Sequence, residues 1–126
     1  MSIEERLEQV EKDNEALKEK IEFLEFRMEL VASKTHVSQL LYENNVNFDQ
    51  YKMIMDVMDE ARKALAKNKE YNHAIFETQF KSIFPEENDN RSEYHFIENI
   101  TRAFMEDGRW TEVFPALYGE MPKYKD

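Results

Sequence analysis

The residues of this chain best suited to hold a metal ion are a glutamate and a histidine three positions apart, Glu70 and His73. This spacing is half of the motif with which helical bundles hold two iron ions, and such a site needs a second copy plus two further carboxylates. The only other histidines are His36 and His95, and neither completes a second Glu-x-x-His. A symmetric oligomer could supply the second copy, but a helix-surface pair of His73 with Glu77 is the simpler interpretation. We therefore predict no metal site and no other cofactor.

Acid–base or Mg²⁺ chemistry is the second possibility, because three carboxylates lie close together on one predicted helix: Asp56, Asp59 and Glu60. Helical nucleotide pyrophosphohydrolases use a denser array of carboxylates on two helices, and this chain lacks that array. It also lacks a Gly-rich phosphate loop, a G-x-S-x-G turn and any cysteine. A solvated helix face explains the three carboxylates better. We predict that the chain is not an enzyme, with a small hydrolase built on these carboxylates as the remaining alternative.

The composition predicts an all-α protein with few partner classes. Only two Gly and three Pro occur among 126 residues, which leaves little of the turn chemistry that strands and hairpins need. The net charge of −10 disfavours nucleic acid and anionic membranes as partners.

A cluster of cations lies near a predicted helix end, where cations interact favourably with the helix dipole: Arg62, Lys63, Lys67 and Lys69. No secretory leader or membrane-spanning stretch is evident in the sequence, which indicates a cytoplasmic protein.

The most regular pattern of the chain is a 4-3 spacing of mostly apolar residues over positions 3–31. Such a spacing is typical of a coiled coil, in which one stripe of a helix packs against the same stripe of another helix. We predict that this stripe is an oligomer interface. We call it the seam, and its nine residues are Ile3, Leu7, Val10, Asn14, Leu17, Ile21, Leu24, Met28 and Val31.

The charges beside the seam predict a parallel, in-register homodimer, with a trimer as the second possibility. Leu7 and Asn14 fall at heptad position a, and Ile3 and Val10 fall at position d. In a parallel pair each position g faces the position e five residues later on the other chain. These pairs are opposite in sign three times: Arg6 with Glu11, Asp13 with Lys18, and Lys20 with Glu25. Asn14 favours the same arrangement, because a buried amide is tolerated best where it meets its own copy.

A second apolar stripe begins within the same helix, at Phe23, Phe26 and Leu30, on the side away from the seam. We therefore predict a coiled-coil helix over 1–34, of which 3–20 protrude as a rod while 21–33 also contact their own domain. A small multihelical domain is expected over 35–119, followed by a flexible tail over 120–126.

Further helices are predicted over 36–44, from Phe48 to about Lys67, over 72–84, from about Tyr94, and over 110–118. Asn47 with Gln50, and Asn90 with Glu93, have the spacing of helix caps, and Gly108 suits a helix end. Residues 86–92 form a polar loop, which is the most mobile segment that the pattern predicts.

Five stretches of this sequence together resemble the YhaI-like family of small helical Bacillus proteins. The first three are Ile21-Glu-Phe-Leu-Glu-Phe-Arg-Met, Leu41-Tyr-Glu-Asn-Asn and Ile54-Met-Asp-Val-Met-Asp-Glu. The others are the Phe76 to Phe80 segment and a closing Glu-Asp-Gly-Arg-Trp-x-Glu-Val-Phe. The resemblance covers about residues 20–119, and the segment before it and the loop at 86–92 depart from the family pattern. It implies a multihelical oligomer of bacterial or phage origin, and it carries over no functional residue.

The sequence thus favours a self-associating interaction protein without catalytic activity, which could also bind another protein. The alternative is an acidic inhibitor, or nucleic-acid mimic, that blocks a basic host protein. The net charge motivates that alternative, although ten of the 27 acidic residues lie in the predicted coiled coil, where solubility explains them. The methionines at 53, 55 and 58 and the aromatic cluster of Trp110, Phe114 and Tyr118 could form recognition surfaces, but we favour core packing for both groups.

Overall fold

The computed structural model describes residues 1–67, 70–121 and 123, and this part of the chain contains six α-helices and no strand. The all-α prediction is therefore confirmed. The helices are α1 (Ile3–Ser33), α2 (His36–Glu43), α3 (Phe48–Ala66), α4 (His73–Lys81), α5 (Tyr94–Glu106) and α6 (Val113–Tyr118), with a short 3₁₀ helix at Asn90–Ser92 between α4 and α5.

Local capping chemistry fixes where the first helices begin. The hydroxyl of Ser2 accepts a hydrogen bond from the Glu5 N–H at the start of α1, and Thr35 caps α2. Asn47 and Gln50 form the predicted capping box, so α3 begins at Phe48 as expected. Lys34 adopts a left-handed conformation (φ 53°), which ends α1 and turns the chain back onto it.

Helix α5 lies at the centre of the domain and contacts α2, α4 and α6, while α3 packs against α4 and α6. Large apolar side chains from all six helices form one core. Its fully buried members include Leu41, Ile54, Met58, Phe76, Phe80, Ile97, Ile100, Phe104 and Tyr118.

The structure corrects two boundaries and one cap. Helix α4 ends at Lys81 rather than near 84, because the chain leaves the helix through a tighter turn in which the Ile83 N–H bonds to the Phe80 carbonyl. Helix α6 begins at Val113, since Trp110 is in a left-handed conformation (φ 45°) and packs on Phe104. The cap predicted for Asn90 with Glu93 is wrong: no side chain caps α5, and Asp89 instead caps the 3₁₀ helix.

The chain end was expected to be a tail over 120–126. Met121 donates its N–H to the Tyr118 carbonyl, and the Lys123 ammonium lies 2.7 Å from Glu98 Oε2. Residues 122 and 124–126 lie outside the described residues, as does Lys69 of the predicted cation cluster.

Candidate oligomer interface

The seam lies open along one face of α1. Its eight apolar side chains are between 53% exposed, at Val10, and 76% exposed, at Ile3. With a rise of 1.5 Å per residue, the stripe from Ile3 to Val31 is about 42 Å long. Monomeric proteins rarely expose so continuous an apolar surface, and one that does usually meets a partner there. The seam is thus the strongest candidate for a binding surface on the molecule.

The polar groups that border the seam are equally open. Asn14 is exposed, and its side chain makes no hydrogen bond to another described residue. Within the described part of the chain, no ion pair involves any of the six charged residues at the matched g and e positions. Asp13 accepts one hydrogen bond, from the Gln9 amide at 2.9 Å along the same helix. These charges therefore keep their pairing capacity for a second chain.

The opposite face of α1 holds the helix to its own domain. Phe26 and Leu30 are each only 6% exposed. The Phe26 ring meets the edge of Phe48 at 5.6 Å and stacks with Tyr51 at 6.0 Å between centroids. Every residue of the chain before Phe23 is exposed, so the first five turns of α1 project from the domain. The helix is therefore covered on one side near its C-terminal end and bare along the seam.

Arg27, at heptad position g, is the residue that joins the seam side of α1 to the domain. One of its terminal nitrogens donates to the Tyr42 carbonyl at 3.2 Å and to Asn45 Oδ1 at 3.0 Å. Its guanidinium carbon lies 3.9 Å from the centre of the Tyr42 ring and 5.5 Å from that of Phe23. Such cation–π contacts contribute about 0.5–1 kcal/mol each at exposed sites. Arg27 thereby sets the position of α2 beside α1.

The N-terminus of α2 is fixed by Asp107, which follows α5. Its carboxylate accepts the His36 N–H at 3.1 Å, the Val37 N–H at 2.9 Å and the His36 ring at 2.8 Å. Burial raises the pKa of Asp107, but the hydrogen bonds from Val37 and His36 outweigh it and hold the pKa below its usual value. The same hydrogen bond raises the pKa of His36, with a further contribution from Glu106. A charged cluster thus connects α2, and through it α1, to the central helix.

The candidate metal pair does not form a helical site. Glu70 precedes α4, whose N-cap is Asn72, so Glu70 and His73 do not share a helix. The His73 ring packs on Tyr118 with centroids 6.0 Å apart, and the Tyr118 hydroxyl donates to Glu77 at 3.4 Å. Among the described residues, no group of three or more His, Asp or Glu side chains is placed to hold a metal ion.

The three carboxylates of α3 are exposed, and two of them have a neighbour in the structure. Asp59 accepts a hydrogen bond from the Trp110 indole at 3.2 Å. Burial raises the pKa of Tyr71 to about 12, and the negative charge of Glu60 adds to this effect. The structure gives Asp56 no such partner among the described residues.

The other candidate recognition groups divide between core and surface. Met58 is fully buried, and Met53 is 46% exposed. Phe114 and Tyr118 are buried in the core, with Trp110 packed against it. Of the cation cluster, Arg62 pairs with Glu112 and lies over the Trp110 ring, while Lys63 and Lys67 are exposed.

No family model matches this chain, and neither a curated protein nor a solved structure matches it. The resemblance to the YhaI-like family therefore stays a prediction. None of the structure's helices, as far as the chain is described, is long and apolar enough to cross a membrane.

Sequence reasoning did not identify two residues that position α2, Arg27 and Asp107. One signal was available for Arg27, which falls at heptad position g: the position e residue five places later is Ala32, which offers no opposite charge. Asp107 gave no signal, because it lies 71 residues from His36 in the chain.

Proposed function

We propose that this chain is a non-enzymatic, cytoplasmic interaction protein that self-associates as a parallel homodimer through the seam of α1. A trimer is the second possibility. The observation that carries the proposal is the bare seam on the face of α1 opposite to Phe26 and Leu30. Turning α1 to cover the seam with its own domain would uncover those two side chains, whose burial is worth about 1.5–3 kcal/mol each. The seam is therefore better covered by another chain.

The bordering charges and Asn14 support a second copy of this chain as that partner. Three opposite-sign pairs in a row arise when α1 is placed beside itself in parallel and in register. Each exposed pair contributes only about 0.2–1 kcal/mol, so these charges select orientation while the apolar seam supplies affinity. Asn14 meets its own copy in the same register, which satisfies its amide in the dimer.

A parallel dimer has a functional consequence. Both helical domains then stand at the same end of one rod, and the rod presents them as a pair. A partner with repeated sites is bound more tightly by such a pair than by one domain, because the second contact becomes intramolecular. We therefore propose that the protein binds another protein bivalently.

Cysteine cross-linking tests the proposed dimer directly, since the chain has no cysteine of its own. Leu17→Cys lies at position d, and any disulfide it forms must join two chains. We expect rapid formation of a covalent dimer on mild oxidation. Lys12→Cys, at position f on the outer face of the rod, is the matched control and should stay monomeric on a denaturing gel. Equal yields from the two variants would contradict the proposal.

One structural feature favours the acidic-inhibitor alternative. An open groove of about 1000 Å³ lies between α1 and the start of α3. Its lining carries more carboxylates than cations: Glu15, Glu19, Glu22, Glu25, Glu29 and Asp49 against Lys18 and Arg91. Arg91 is already paired with Asp89 at 2.7 Å.

A basic protein partner suits this groove. Titration with a lysine-rich peptide at rising salt concentration tests the alternative, because binding between exposed charges weakens as salt screens them. The double variant Glu19→Gln, Glu22→Gln should then bind more weakly, and binding that ignores both salt and these substitutions would rule the alternative out.

A further inference from the structure

The matched charges along the seam stop at its C-terminal end. The first three g positions face an opposite charge in the parallel register, but the fourth, Arg27, faces Ala32 of the other copy. A coiled coil that continued its own pattern would carry an acidic residue at 32. Position 32, which lacks the acidic residue, lies in the part of α1 that contacts its own domain. The pattern of opposite charges therefore ends where α1 stops projecting into solvent and packs on the domain.

The structure shows what Arg27 does in place of an interchain ion pair. It is held within its own chain by the Tyr42 carbonyl, the Asn45 amide oxygen and the face of the Tyr42 ring. Tyr42 remains 39% exposed, so the stack of Arg27 on Tyr42 still offers an outer surface. A stacked guanidinium and phenol ring make a flat, partly apolar surface of this kind.

The position of this stack follows from the helix geometry. Position g borders the seam, and in a parallel coiled coil its side chain reaches position e of the facing helix. In the proposed dimer Tyr42, which lies against Arg27, stands at the flank of the seam, on the side from which the second helix approaches. A large side chain at position 32 of that helix would compete for the same space, whereas the methyl group of Ala32 leaves room for the ring.

We propose that the interface between two copies extends from the seam onto the domain, with Ala32 of each chain packed against the Arg27–Tyr42 stack of the other. This inference rests on the proposed parallel dimer and adds its continuation. By two-fold symmetry the contact forms twice. The two domains are then held in one orientation beside the seam instead of swinging on the ends of a rod.

Matched arginine substitutions test the contact in the full-length chain. Ala32→Arg places a bulky cation against Arg27, and Ala16→Arg makes the same change at position c of the rod, away from the seam. Both sites are exposed, and arginine is a good helix former, so neither change should unfold the chain. We expect Ala32→Arg to raise the dissociation constant of the dimer about tenfold or more, because like charges and lost packing both oppose association, and Ala16→Arg to leave it unchanged.

A cross-linking experiment gives an independent readout. Chains carrying Tyr42→Cys and chains carrying Ala32→Cys are oxidised separately and as a mixture. A covalent dimer that forms in the mixture, and not in either variant alone, supports the contact. No mixed dimer, together with equal dissociation constants for Ala32→Arg and Ala16→Arg, overturns it. If Leu17→Cys still cross-links in that case, association through the seam stands and the extension fails; if Leu17→Cys also fails, the proposed dimer fails with it.

Discussion

Truncation of one seam residue should weaken the dimer by an amount that can be worked out from the exposure of that residue in the structure. Leu17 is 56% exposed, so the dimer would newly cover about half of its side chain. Full burial of a leucine is worth about 2 kcal/mol, which makes the newly covered part worth about 1 kcal/mol per chain. In Leu17→Ala both chains of the dimer lose this burial energy, and the cavity left between them adds a further cost. The expected cost is at least about 2 kcal/mol, or roughly a 30-fold rise in the dissociation constant.

Sedimentation equilibrium over a range of concentrations measures this constant. Leu17 makes no contribution to the buried core, and alanine is the best helix former, so the domain and α1 should keep their structure by circular dichroism. Lys12→Ala, on the outer face of the same rod, is the control and should leave the dissociation constant within about twofold of the parent. If Leu17→Ala and Lys12→Ala behaved alike, the seam would not be the interface and the reasoning would be refuted.

Three further predictions address single residues. Asn14→Ile should raise the melting temperature of the assembly and give a mixture of oligomers in sedimentation velocity, because a polar residue in the seam costs stability but selects the dimer. An unchanged melting temperature and an unchanged oligomeric state would mean that Asn14 is not buried between chains. Asp107→Ala should lower the free energy of unfolding in urea by about 1–2 kcal/mol, since the first two N–H groups of α2 lose the carboxylate that accepts their hydrogen bonds, whereas Asp56→Ala on an exposed helix face should have little effect. The hydrogen bond to Asp107 raises the pKa of His36 above 6.5, its value in the unfolded chain. The protonated imidazole therefore stabilises the folded state fully below pH 6.5, and this contribution is lost as the pH rises through the folded-state pKa. His36→Gln should therefore lower the melting temperature at about pH 5.5 and leave it nearly unchanged at about pH 8.5; an equal loss at both would exclude the charged form as the cause.

The features that the sequence predicted correctly are those that neighbouring residues determine. The all-α class follows from helical periodicity and scarce glycine, and the start of α3 follows from Asn47 and Gln50, which satisfy each other's backbone three residues apart. The 4-3 spacing is also a local property, so the residues that share the exposed face of α1 could be identified without a structure, while their role as an interface stays a prediction.

The features that were missed depend on residues far apart in the chain. Asp107 accepts hydrogen bonds from the first two N–H groups of α2 only because α5 brings it there. Within the segment 86–92, Asp89 and Arg91 pair, and Arg91 lies over the Phe84 ring and donates to the Asn45 carbonyl at 3.3 Å, contacts that the local sequence does not indicate. Arg27 likewise acquires its role only when α2 folds back beside α1.

The mass of the unmodified chain in solution tests the central claim most directly. One chain has a mass of 15.2 kDa. At micromolar concentration, we expect a particle of twice that mass in sedimentation equilibrium, dissociating as the protein is diluted. A single species with the mass of one chain, at every concentration up to the millimolar range, would contradict it.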